Sequence, residues 1–134
     1  MLRSGGVVVL PTETVYGAAG LLSHPDAGRK LRQLRGTGDK SPFTVHVARS
    51  KDALHYLGDI NDLGRRLMRK LWPGPVGLVF EVPADRRAAV AKELSVTESD
   101  LYDPAGAITL EYTEELGCAG SGACASSAAF EFPL

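Results

Sequence analysis

The sequence predicts an α/β fold: one domain with a twisted, mixed β-sheet and flanking helices. Two observations predict it. Short β-branched runs alternate with stretches whose apolar residues recur at helical spacing. The chain has 134 residues, enough for one hydrophobic core and too few for two. Apolar residues at 44% and charged residues at 23% match an ordinary globular domain, which excludes disorder as a reading of the whole chain.

The elements follow in order. Gly5-Gly6 lead into Val7-Val8-Val9-Leu10, a run without polar alternation that reads as a strand buried on both faces and ended by Pro11. Ser23 to Asp26 supply cap and first-turn chemistry for a helix. Ala27, Leu31 and Leu34 form its inner stripe, and Gly36 stops it. Phe43 to Val47 alternates, with Phe43, Val45 and Val47 on one side and Thr44 and His46 on the other. A short helix runs from a Ser50 cap to Leu57 and ends at Gly58. Leu63, Leu67 and Leu71 form the stripe of another, ended by Trp72-Pro73-Gly74-Pro75. Val76 to Val82 reads as a strand. Pro83 to Leu94 reads as a helix with Ala88, Ala89 and Leu94 inward. Residues 95–106 read as a loop and Ala107 to Tyr112 as a strand. Residues 117–128 are rich in small residues and receive no element.

Charge excludes some functions and directs attention to others. The formal net charge is −1, so no global field attracts nucleic acid or anionic lipid. Residues 27–70, however, carry eleven basic groups against four acidic, and residues 81–134 carry ten acidic against three basic. A basic block of this kind reads either as solvated helix faces or as one face that meets phosphate. No apolar run approaches the roughly 20 residues of a membrane span. Two cysteines with five residues between them make neither a disulfide scaffold nor a four-ligand zinc site. The expectation is a cytoplasmic protein without a protein-ligated metal.

Polar chemistry concentrates early. Pro11-Thr12-Glu13-Thr14-Val15-Tyr16-Gly17 follows a strand directly, where open α/β sheets bind ligands, although its hydroxyls could equally serve a local turn. Arg35-Gly36-Thr37-Gly38-Asp39-Lys40-Ser41-Pro42 could cradle phosphate, but it lacks the P-loop order. His46, alone on a strand, reads as a structural histidine as readily as a ligand-binding one. No catalytic nucleophile or base is assigned.

Four segments in order resemble the YrdC-like domain, the fold of threonylcarbamoyl-AMP synthase. They are residues 5–17, the helix ending in Leu34-Arg35-Gly36, residues 41–47, and residues 71–79 from Leu71-Trp72-Pro73-Gly74-Pro75 onward. The resemblance spans a single domain over 1–134, is family-like to about residue 110, and fades over a divergent or truncated tail, 111–134. Against the family the chain is short at both ends.

The resemblance implies a nucleotidyltransferase that joins L-threonine, bicarbonate and ATP, with Mg on the ATP, into threonylcarbamoyl-adenylate and pyrophosphate. A tRNA-threonylcarbamoyl transferase would then carry the group to tRNA. It implies substrate contacts at Thr14, Tyr16 and His46, and nucleotide contacts at Arg35, Ser41 and Ser127. It also implies a basic surface for double-stranded RNA or tRNA, here Arg29, Lys30, Arg32 and Lys40. Three positions depart from the family pattern: Thr37 and Glu111 stand for arginines, and Ala129 for an asparagine. The alternative is therefore a catalytically weak module that binds RNA or a partner.

Overall fold

In the computed structural model the described residues are 2–11, 16–36, 40–112 and 129–133. A 3-10 turn at Leu2–Ser4 precedes β1 (Val7–Pro11), β2 (Tyr16–Leu21) and α1 (Pro25–Arg35). Then come β3 (Thr44–His46), α2 (Ala53–Leu57), α3 (Asp62–Leu71) and β4 (Leu78–Glu81). The series closes with α4 (Ala84–Leu94), α5 (Glu98–Leu101), β5 (Ala107–Glu111) and β6 (Ala129–Pro133). The strands form one mixed sheet in the order β1-β2-β6-β3-β5-β4. Only β3 and β5 run parallel; the other neighbours are antiparallel. The expected mixed α/β architecture is therefore present. No helix among the described residues is long and apolar enough to cross a membrane.

One register row fixes the core face. Val7 pairs with Gly20, and Val45 pairs with Leu110, which pairs with Leu78. β6 joins the two groups, since Phe130 stands opposite both Gly20 and Val45. A Cβ on Gly20 would stand 2.8 Å from the Ala27 Cβ, so α1 lies directly against β2 on this side, and only glycine permits so close an approach. Leu31, Phe43, Val45, Ile108 and Leu110 are 1% exposed or less, and together they make the centre of the core.

Several expectations need correction. β1 is not buried on both faces: it is an edge strand, and Val9 is 56% exposed. Pro11 is its last paired residue rather than a breaker before it, which an edge strand tolerates. β2, Tyr-Gly-Ala-Ala-Gly-Leu, and β6 were not expected as strands. In α1, Ala27, Gly28 and Leu31 are buried, while Leu34 faces solvent. In α3 the buried residues are Gly64 and Met68, and Leu63 is 64% exposed. The bare Gly64 lets this helix press on Phe80, where an added Cβ would sit 3.0 Å from the ring, and that contact turns Leu63 outward. In α4, Val90 and Ala91 are buried and Ala88 and Ala89 are not. Residues 95–106 are not all loop. Thr97 and Asp100 form a reciprocal capping box that starts α5.

Candidate functional site

Side chains alternate across a strand, so the neighbours of the core row point the other way. On that opposite face stand Ala19 from β2, Thr44 and His46 from β3, Thr109 and Glu111 from β5, and Val79 from β4. Exposure is graded across it. Val79 is 64% exposed at the β4 edge, Thr109 and Thr44 are half-buried, and Ala19 and His46 are 2–3% exposed. Mid-sheet, this face is lined by small and hydroxyl side chains, unlike the helix-covered face.

His46 and Glu111 are register partners at the ends of two parallel strands. The His46 Nε2 lies 3.5 Å from the Glu111 Oε2, an ion pair when the ring is protonated. The chain after α3 approaches the same place. Trp72 Nε1 donates to the Val76 carbonyl at 2.8 Å, and the Gly74 N–H donates to the Tyr112 carbonyl at 3.0 Å. That anchoring lays Gly77 beside the pair: a Cβ there would stand 3.1 Å from the Glu111 Oε1 and 3.5 Å from the Thr109 Cγ2. The open-face site therefore consists of an imidazole, a carboxylate and two hydroxyl residues, with bare backbone at its rim.

A second feature lies on the helix side. A cleft of about 510 Å³ is lined by Arg29, Arg32, Arg35 and Lys40, with Gln33, Gly36, Ser99 and Asp100. Spacing of three residues brings Arg29, Arg32 and Arg35 to one side of α1. Arg32 pairs at 2.5 Å with Asp100, which is 5% exposed, so α5 braces this wall. Arg29 pairs with Asp26. Arg35 donates to the Ser41 carbonyl, and its guanidinium lies 4.4 Å from the centre of the Phe43 ring. The four cations lining the cleft outnumber the two carboxylates, Asp26 and Asp100, that pair with them, so its charge is net positive.

The residues expected at the site fall as follows. Arg29, Arg32, Arg35 and Lys40 come together in the cleft, with the Ser41 carbonyl tied to Arg35. Lys30 points elsewhere; its Nζ donates to the Gly5 carbonyl at 3.1 Å. His46 lies on the open face. Tyr16 alternates with Ala18 and Gly20, which puts it on the helix side at the exposed end of β2, so it and His46 do not share a face. Thr14, Thr37 and Ser127 lie outside the described residues. Among the described residues no three His, Cys, Asp or Glu side chains gather as a metal site. Asp100 and Gly77 carry structural weight that the sequence reading missed. For Asp100 the Thr-Glu-Ser-Asp capping signal was there to be read.

Residues 1–100 match the family model Sua5_yciO_yrdC, described as telomere recombination. The chain is 32% identical over 85 residues to a threonylcarbamoyl-AMP synthase of Bacillus subtilis, covering 63% of this chain and 25% of that protein. It is 37% identical over 86 residues to the synthase of Thiobacillus denitrificans (64% and 45%), and 39% over 80 to that of Homo sapiens (60% and 28%). The chain thus spans between a quarter and a half of these curated relatives. By fold it is similar to a hypothetical protein of Streptococcus mutans (TM-score 0.71, 15% identity, 98% of this chain and 53% of that one). It is also similar to P. abyssi Sua5 complexed with L-threonine (TM-score 0.64, 18% identity, 98% and 35%).

Proposed function

The chain belongs to the Sua5/YciO/YrdC family, and from that premise we propose that it is a threonylcarbamoyl-AMP synthase-type domain acting on L-threonine, bicarbonate and ATP. The observation that carries the reading is the open face of the sheet. There Thr44 and His46 stand on β3, within the matched residues 1–100, and His46 faces Glu111 of β5 beside the bare Gly77. Threonine would lie against β3, with Thr14 from the β1–β2 connection as a further contact. The nucleotide contacts expected at Arg35 and Ser41 sit by the helix-side cleft, so ATP, bringing its own magnesium and with Ser127 a third contact, would have to span from there to the open face to present its α-phosphate to the carbamate. The reaction, attack of a threonine-derived carbamate on the α-phosphate, asks for positioning and neutralised charge more than for a covalent nucleophile. Its adenylate would pass to a tRNA-threonylcarbamoyl transferase in the cytoplasm.

The cationic cleft favours a second role beside the first. Arg29, Arg32 and Lys40, which line it together, would meet the phosphates of an RNA backbone, tRNA or double-stranded, with little sequence preference. With Thr37, Glu111 and Ala129 in place of the family residues, this role would outlast a weak synthase activity.

Calorimetric titration separates the two. Binding of both L-threonine and ATP is expected of a synthase-type domain. RNA binding that falls steeply with salt, with neither small substrate bound, would leave the RNA module as the function. Arg35→Ala should weaken ATP by about tenfold or more if one charge-assisted hydrogen bond is lost. Unchanged ATP affinity would take Arg35 out of the nucleotide site.

A further inference from the structure

We propose that Glu111 makes the open-face site one that reads the ammonium end of its amino-acid ligand. The inference rests on the threonine reading above and adds an orientation to it.

Among the described residues, the face shared by Ala19, Thr44, His46, Thr109, Glu111, Val79 and Glu81 carries no lysine or arginine. The cations of α1 lie in the cleft on the helix side. The next cation after β3, Arg49, is engaged with Asp52 at 3.0 Å. A ligand carboxylate placed against this part of the sheet would meet another carboxylate, and like charges at close range repel. An ammonium placed there meets an attractive partner with oxygen lone pairs to accept its protons.

Geometry makes Glu111 reachable. Its side chain is 31% exposed, while the neighbouring imidazole of His46 is 3% exposed. The imidazole, 3.5 Å from Oε2, fixes one side of the carboxylate. On the other side Oε1 faces Gly77, where even a methyl group would stand at 3.1 Å. The glycine brings bare backbone against this oxygen, and the carboxylate meets solvent along its remaining exposed edge. Thr109 and Thr44 border the same space, so an ammonium at Glu111 would leave the rest of a small hydroxy amino acid among hydroxyls.

The test compares three probes by calorimetry: L-threonine, L-threoninol (amine kept, carboxylate removed) and N-acetyl-L-threonine (amine blocked). Wild-type protein should bind the first two within about threefold of each other and the third at least tenfold more weakly, as one lost charge-assisted hydrogen bond predicts. Glu111→Gln, which keeps shape and removes charge, should weaken the two amines about tenfold and leave the acetylated probe unmoved. If threonine binds but Glu111→Gln binds it equally, or if the acetylated probe binds as tightly as threonine, the ammonium subsite is wrong and the threonine reading stands. If neither amine binds the wild-type chain, both fall together.

Discussion

The two faces of one sheet have had different work to do, and they differ in kind. On the helix side the register row from Val7 to Leu78 carries the aliphatic side chains of Val7, Val45, Leu110 and Leu78, and Leu31 and Phe43 close against it. On the other side the same strands present Ala19, Thr44, His46, Thr109 and Glu111. Consecutive residues of β5 make the contrast sharpest. Ile108 and Leu110 are fully buried, while Thr109 and Glu111 between and beyond them are half-exposed. One face collects the apolar burial that stabilises the fold. The other gives up part of that burial and leaves polar groups such as Thr109 and Glu111 partly exposed. If this division is right, substitutions one residue apart should differ severalfold in their effect on folding.

The largest effect belongs to the buried face. Leu110→Ala should cost about 2–5 kcal/mol, the range for truncating a fully buried leucine, whereas Thr109→Ala next to it should stay within about 0.5 kcal/mol. Urea unfolding of the pair is the measurement, and equal losses would break the two-face picture. Second comes the brace behind the cleft. Asp100→Ala removes a nearly buried carboxylate that caps α5 and holds Arg32, at an expected cost of about 1–2 kcal/mol. Arg32→Ala, at a guanidinium 44% exposed, should cost less than about 1 kcal/mol. The reverse order would mean that the cleft wall, rather than the cap, is the stabilising element.

A third test uses alkali. Burial pushes the Tyr102 phenol from its ordinary value of 10.0 up to about 12, and Tyr56 upward as well, with burial the main cause and Asp52 adding to it. Both stand in the helix-side core, and the Tyr102 hydroxyl donates to the Tyr56 carbonyl at 3.4 Å. A raised phenol favours the fold only while protonated. Its contribution is complete below pH 10.0 and declines as pH rises toward about 12. Absorbance at 295 nm against pH, run beside circular dichroism, should show phenolate appearing together with unfolding. Two buried phenols ionising in a still-folded chain would contradict the burial. The smallest expected change is a gain. Ser95 ends α4 in the left-handed region at φ 55°, so Ser95→Gly should stabilise by about 0.5–1 kcal/mol in the same urea assay.

The division also explains what could be read from sequence. Apolar periodicity reports the buried face, so β1, β3, β4, β5 and the four longer stretches of helix α1 to α4 were all anticipated close to their positions. It failed where burial is achieved by small residues. β2 has neither a β-branched nor a buried aromatic residue, and it is a strand because Gly20 admits α1 at close range. The leucine stripe of α3 misled for a related reason: Gly64, not a leucine, marks the packed side. β6, Ala-Phe-Glu-Phe-Pro, alternates as a strand should, but a tail read as divergent hid it. The site was legible in its residue types and not in its assembly. That His46 meets Glu111, and that Arg29, Arg32, Arg35 and Lys40 share a cleft away from His46, depends on pairings distant in sequence.

The position of β6 bears on the time course of synthesis. Its five residues lie between β2 and β3 and bond to both, although they come last among the strands. Without them the sheet falls into a two-stranded piece, β1-β2, and a three-stranded piece, β3-β5-β4. A chain emerging from the ribosome therefore holds two partial sheets with facing open edges until β6 is released. The interval is one in which either edge can capture a strand from a neighbouring chain.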